Sequence, residues 1–105
     1  MERQKRCDAM RLTELQPVYC TTFPRPEAME TGKLYISHKF KLANHLCPCG
    51  CGQQAVTPFD YETFPNLHWK LTENEGRVTL RASILNRACP NRSHYYITDN
   101  KIQWL

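Results

Sequence analysis

Apolar and polar residues alternate along two stretches in the second half of the chain. In Leu67-His68-Trp69-Lys70-Leu71-Thr72 and in Val78-Thr79-Leu80-Arg81-Ala82-Ser83-Ile84 every second side chain is apolar, the period of a strand with one buried face. Glu73-Asn74-Glu75-Gly76 between them supplies turn residues. Pairing Thr72 with Arg77 sets Leu71 opposite Val78, Trp69 opposite Leu80 and Leu67 opposite Ala82, so all three pairs share a face. A second hairpin repeats the logic. With Asp99-Asn100 as a two-residue turn, Ile97 meets Ile102 and Tyr95 meets Trp104, while His94, Tyr96 and Gln103 point the other way.

The first half is less regular. Lys33-Leu34-Tyr35-Ile36-Ser37 alternates and predicts a strand, and residues 18–23 are rich in β-formers. Pro24-Arg25-Pro26 ends that run, residues 27–32 read as loop, and residues 38–46 lead toward a cysteine cluster. Leu12-Thr13-Glu14-Leu15 is too short to define a helix before Pro17 interrupts it. The expected fold is mostly β: a small single-domain antiparallel sheet of hairpins, with a short N-terminal helix left open. Residues 1–32 form an N-terminal segment that the pattern does not specify, ahead of a β domain over 33–105.

At 105 residues a single core buries about 60–68% of the surface exposed by the unfolded chain, so a metal or disulfide adds usefully to stability. The net charge of +4 and pI near 8.8 suit an anionic partner or an ordinary soluble surface. The basic residues are spread along the chain except for Arg3, Lys5, Arg6 and Arg11. No apolar run follows the charged N-terminus as a secretory signal requires, and none approaches the ~18 residues of a membrane span. A cytoplasmic setting is therefore expected, without membrane contact, where clustered cysteines bind metal more often than they form disulfides.

Those cysteines are the main chemical signal. Cys47-Pro48-Cys49-Gly50-Cys51-Gly52 has His45 just before it and Cys89-Pro90-Asn91-Arg92-Ser93-His94 downstream. Structural zinc takes four Cys or His ligands, commonly two from one tight turn and two from a distant segment. Pro48, Gly50 and Gly52 provide the turn that curls amides toward sulfur. Cys47, Cys49, Cys51, Cys89 and His94 are five candidates for four places. Cys89 and His94 with two of the three clustered cysteines is the expected set. The third thiol is then spare, and His45 serves in packing or behind the ligands.

Other chemistries use the same residues. Cys7 and Cys20 could form a disulfide, whereas cysteines two apart do not bond easily. An iron–sulfur cluster on Cys47, Cys49, Cys51 and Cys89 has tighter spacing than ferredoxin patterns. Catalytic zinc needs an open position and a poised acid or base, and nothing marks Asp60, Glu62 or Asp99 as poised. A nucleophilic Cys89–His94 pair lacks a recognisable orienting residue. His38 and His68 are isolated, with His68 on a polar face. Trp69, Tyr95 and Trp104 are expected in the core, leaving Tyr35 and Tyr96 for an exposed binding surface.

His45-Leu46-Cys47-Pro48-Cys49-Gly50-Cys51-Gly52, then Trp69-Lys70-Leu71, residues 78–84 and Ser93-His94-Tyr95-Tyr96-Ile97 ahead of Trp104 carry a family resemblance over residues 33–105. The chain resembles an uncharacterised family of small bacterial and phage metal-binding proteins with a His-x-Cys-x-Cys-Gly-Cys-Gly motif. Some members are similar to proteins encoded near ubiquitin-like conjugation genes. The resemblance implies a metal at Cys47, Cys49, Cys51, Cys89 and His94. The function expected is a non-enzymatic zinc module that mediates protein–protein interaction, in a phage–host setting or a bacterial ubiquitin-like conjugation system. A nucleic-acid-binding zinc protein and a small metalloenzyme with an open zinc position are the alternatives.

Overall fold

A computed structural model describes residues 11–60, 62 and 68–105. They form eight strands: β1 Gln16–Tyr19, β2 Lys33–Ser37, β3 Leu42–Leu46, β4 Gln54–Pro58, β5 Lys70–Asn74, β6 Arg77–Leu85, β7 His94–Thr98 and β8 Lys101–Trp104. The strands make two four-stranded sheets, ordered β1-β2-β3-β4 and β5-β6-β7-β8. Every neighbouring pair is antiparallel except β1 and β2, which run parallel. The fold is mostly β, as expected, but with two sheets rather than one.

The sheets share a core. Leu34 and Ile36 of β2, Ala43 of β3 and Ala55 of β4 pack with Val78, Leu80 and Ile84 of β6, Tyr95 and Ile97 of β7 and Ile102 of β8. Each fully buried aliphatic side chain here is worth about 1.5–3 kcal/mol relative to exposure. Trp69 and Trp104 pack at its margin. A smaller cluster of Met29, Tyr35 and Leu46 covers the far side of the first sheet. Tyr35 is therefore buried, not an exposed binding residue, and its hydroxyl accepts the Glu30 N–H at 3.0 Å. Burial on both sides also explains why β3 escapes a periodicity reading: four of its five residues are buried in succession.

Residues 12–15 are extended, not helical. Leu15 N–H donates to Asn100 O and Ile102 N–H to Thr13 O, each at 2.8 Å, and Leu12 N–H reaches Pro48 O. The Trp104 indole N–H closes on Leu12 O at 2.9 Å. This segment runs from the second sheet into β1 of the first. The strand expected at 18–23 is β1 instead, overlapping only at Val18 and Tyr19. Among the described residues the helical element is a single 3₁₀ turn, Pro26–Ala28. None of their helices is long and apolar enough to cross a membrane.

The two expected hairpins form. The β7–β8 register is as read, with Tyr95 against Trp104 and Ile97 against Ile102. The β5–β6 register slides by two residues, pairing Leu71 with Leu80 and Asn74 with Arg77. The predicted Leu67 partner falls outside the described residues. The slide keeps the same face inward, so the apolar pattern does not resist it. The turn decides the register: Glu75 and Gly76 take φ of +53° and +80°, the tight primed turn that matches strand twist. Nothing lies within 4 Å of a Cβ added at Gly76, so Gly76→Val tests backbone strain alone. It is expected to cost about 1–2 kcal/mol, read as a lower urea midpoint. An unchanged midpoint would rule out this turn geometry.

Candidate functional site

Two loops bring four sulfurs together. In the first, Cys47 N–H donates to Gln53 O at 2.7 Å and Gly50 N–H to Cys47 O at 3.0 Å, with Gly50 at φ +94° and Gly52 at +87°. Those angles favour glycine. The second loop joins β6 to β7. Asn86 N–H donates to Ser93 O, Cys89 N–H to Asn86 O and Arg92 N–H to Cys89 O, and the Asn86 side chain accepts from Ala88 N–H. The sulfurs of Cys47, Cys49, Cys51 and Cys89 all lie within 4.8 Å of one another, and Cys49 and Cys89 are 3.5 Å apart. Thiolates around tetrahedral zinc sit about 3.8 Å apart, given bonds of about 2.3 Å. The donor set and its spacing fit a metal ion.

The charge balance agrees. Burial pushes the Cys47 thiol up to about 11 and Cys51 higher still. Burial also raises Cys89, but hydrogen bonds from the Ser93 hydroxyl and from backbone groups outweigh it and bring the group to about 6. Four thiols in one enclosed pocket do not all ionise unaided, whereas a divalent cation compensates their charge.

The histidines lie elsewhere. His45 is fully buried, facing the core from β3 with Nε2 2.6 Å from the Tyr95 hydroxyl. Burial lowers its pKa to about 4, so it is neutral, and its Nδ1 has no partner. His38, isolated on sequence, has Nε2 3.1 Å from Glu73 Oε2 and its ring stacked on Tyr19. His68 is exposed. Cys20 is a free thiol, as are the four clustered cysteines, and Cys7 lies outside the described residues.

His94 is not in the sulfur group. Its Nε2 is 3.0 Å from Ser83 Oγ. The chain contains three serines. Ser37 is fully buried and donates to Thr21 O. Ser93 is buried against Cys89 Sγ at 3.3 Å. Ser83 alone is both partly exposed and hydrogen-bonded to an imidazole.

An irregularity in β6 presents Ser83. Leu80 pairs with Ile97 and Ile84 with Tyr95, so Arg81, Ala82 and Ser83 lie opposite the single residue Tyr96. Such bulges bend a strand and re-aim its side chains. Ala82, expected on the buried face, is exposed as a result. Backbone bonds hold both partners: the Trp69 indole N–H donates to Ser83 O at 3.2 Å, and Leu105 N–H donates to His94 O at 2.9 Å. A serine hydroxyl on an imidazole nitrogen is the arrangement of an activated oxygen nucleophile and its base.

A family model described as "Bacterial ubiquitination-like system serine protease (BubE)" matches residues 20–105. The chain belongs to the BubE family. No curated protein and no solved structure matches it. The BubE description overturns the expectation of a non-enzymatic interaction module, and neither the nucleic-acid-binding nor the open-zinc alternative fits it better. The physical reason is now visible. On sequence alone His94 goes to the metal and Ser83 passes as an ordinary polar-face residue. The available signal was that both residues sit on the polar sides of their strands, and pairing β6 with β7 puts them together.

Proposed function

We propose that the chain is a serine hydrolase that cleaves an amide bond of a ubiquitin-like protein, with Ser83 as nucleophile and His94 as general base. The observation that carries this reading is the 3.0 Å contact between Ser83 Oγ and His94 Nε2, in a chain whose other two serines are buried. The family description, a serine protease of a bacterial ubiquitination-like system, supports the protease reading and protein partners, and the ubiquitin-like substrate is our inference from it.

Ser83 Oγ attacks the substrate carbonyl carbon as its proton passes to His94 Nε2. The tetrahedral adduct collapses when that proton goes to the leaving amine, which departs and leaves an acyl ester on Ser83. Water then attacks the ester, His94 again takes the proton, and collapse returns it to Ser83 Oγ with release of a carboxylic acid. Cys47, Cys49, Cys51 and Cys89 are the ligand set we assign to structural zinc. Bound there, zinc supplies a fixed anchor for the loop between β6 and β7, whose two arms carry Ser83 and His94.

A fluorophosphonate probe tests the nucleophile directly. It is expected to label Ser83 once per chain, located by peptide mass mapping. Labelling of a different residue, or none, would reject the assignment.

A further inference from the structure

A groove of about 290 Å³ runs between β4 and the end of β6, lined in part by Ala55, Val56, Trp69, Ile84, Leu85 and Arg87. It lies close to the Ser83–His94 pair by three routes. Leu85 is the cross-strand partner of His94, so the two side chains share a face. Ile84 is the residue after Ser83. Trp69, at the groove wall, donates its indole N–H to Ser83 O.

The groove also has features that a packed core does not need. Val56 is 47% exposed and Leu85 39% exposed, so two large apolar side chains among its lining residues stand in water. Among the described residues β4 pairs as a strand only with β3, and Trp69 N–H donates to Pro58 O at one end of its other edge, which makes Gln54 and Val56 the edge positions beside the groove. An open strand edge beside apolar pockets binds an extended peptide by strand addition, with side-chain pockets giving the selectivity. The volume is just below the ~300–1,000 Å³ of drug-sized ligand sites, which suits a side chain and its backbone.

We propose that this groove is the specificity subsite of the Ser83–His94 centre, holding an extended substrate segment beside the scissile amide with a large apolar side chain packed against its exposed apolar rim, Leu85 and Val56. The proposal rests on the hydrolase reading, and its test separates the two.

One portion of wild-type protein is treated with the fluorophosphonate, and a separate untreated portion is assayed on an internally quenched peptide library with every position on both sides of the bond varied. Labelled Ser83 together with at least a tenfold preference in kcat/KM for Leu, Phe or Met over Asp at one position is the expected result. Leu85→Glu and Val56→Glu, both at exposed sites, should each move that preference toward Lys or Arg, and Leu85→Ala should weaken it. No labelling sinks both the hydrolase reading and the subsite. Labelling with no apolar preference, or a preference untouched by all three substitutions, sinks the subsite alone. A wild-type dimer that Val56→Glu converts to monomer would assign the groove to a second copy of the chain and overturn the proposal.

Discussion

Replacing Ser83 with Ala is expected to lower kcat/KM on a ubiquitin-like protein fusion by about 10³-fold or more, with little effect on folding. Among the described residues, the substitution removes the only serine hydroxyl that meets an imidazole. Ser83 is only partly buried, so its loss should change stability by about 1 kcal/mol or less. His94→Ala should lower the rate to a similar extent, because the hydroxyl is a weak nucleophile without its base. The double variant should be scarcely slower than either single one, since residues that act as a unit lose their joint effect at the first deletion. Steady-state kinetics on the three variants, each checked for a native melting curve, decide the matter. A Ser83→Ala protein that keeps more than a tenth of the wild-type rate is incompatible with this mechanism.

Stripping the metal should lower the melting temperature by more than about 20 °C and abolish hydrolysis along with it. Structural zinc contributes on the order of 10–16 kcal/mol of apparent folding free energy, comparable to the whole stability of a typical domain at about 5–15 kcal/mol. At this size each kcal/mol corresponds to roughly 4–8 °C. The sulfurs join the loop after β3 to the loop between β6 and β7, and the second loop connects the strands bearing Ser83 and His94. With zinc as the proposed anchor, its loss is expected to free the connection that sets the distance between Ser83 and His94. One zinc per chain is expected by elemental analysis of protein purified without added metal. Cys89→Ser should lose it and His94→Ala should retain it, which separates a four-thiolate site from one that includes the imidazole. Unchanged thermal stability after chelation would dismiss the structural role.

Much of the second sheet was legible because each of its hairpins is a local event. The alternation in β6, β7 and β8 and the Asp99-Asn100 turn together set which residues face the core, and Tyr95, Ile97 and Ile102 are buried accordingly. The clustered thiols were also legible, since Cys47, Cys49 and Cys51 lie within five residues and Gly50 and Gly52 suit the turn. Segments whose environment comes from distant chain were not. β3 has both faces covered and shows no period of two, and the parallel pairing of β1 with β2 leaves no turn between them to read. Residues 12–15 take their extended form from β8 and from Pro48 O, partners remote in sequence.

By itself, the sequence determined the mostly β class, the inward face of the hairpins and the gathering of thiols for a metal, because period, turn chemistry and ligand type act over a few residues. Only the tertiary structure decided that β6 bulges, that β6 pairs with β7 and that His94 therefore meets Ser83 rather than sulfur. Eleven positions of chain separate that serine from its histidine, and no local preference measures the gap between them. Strand pairing and the bulge do.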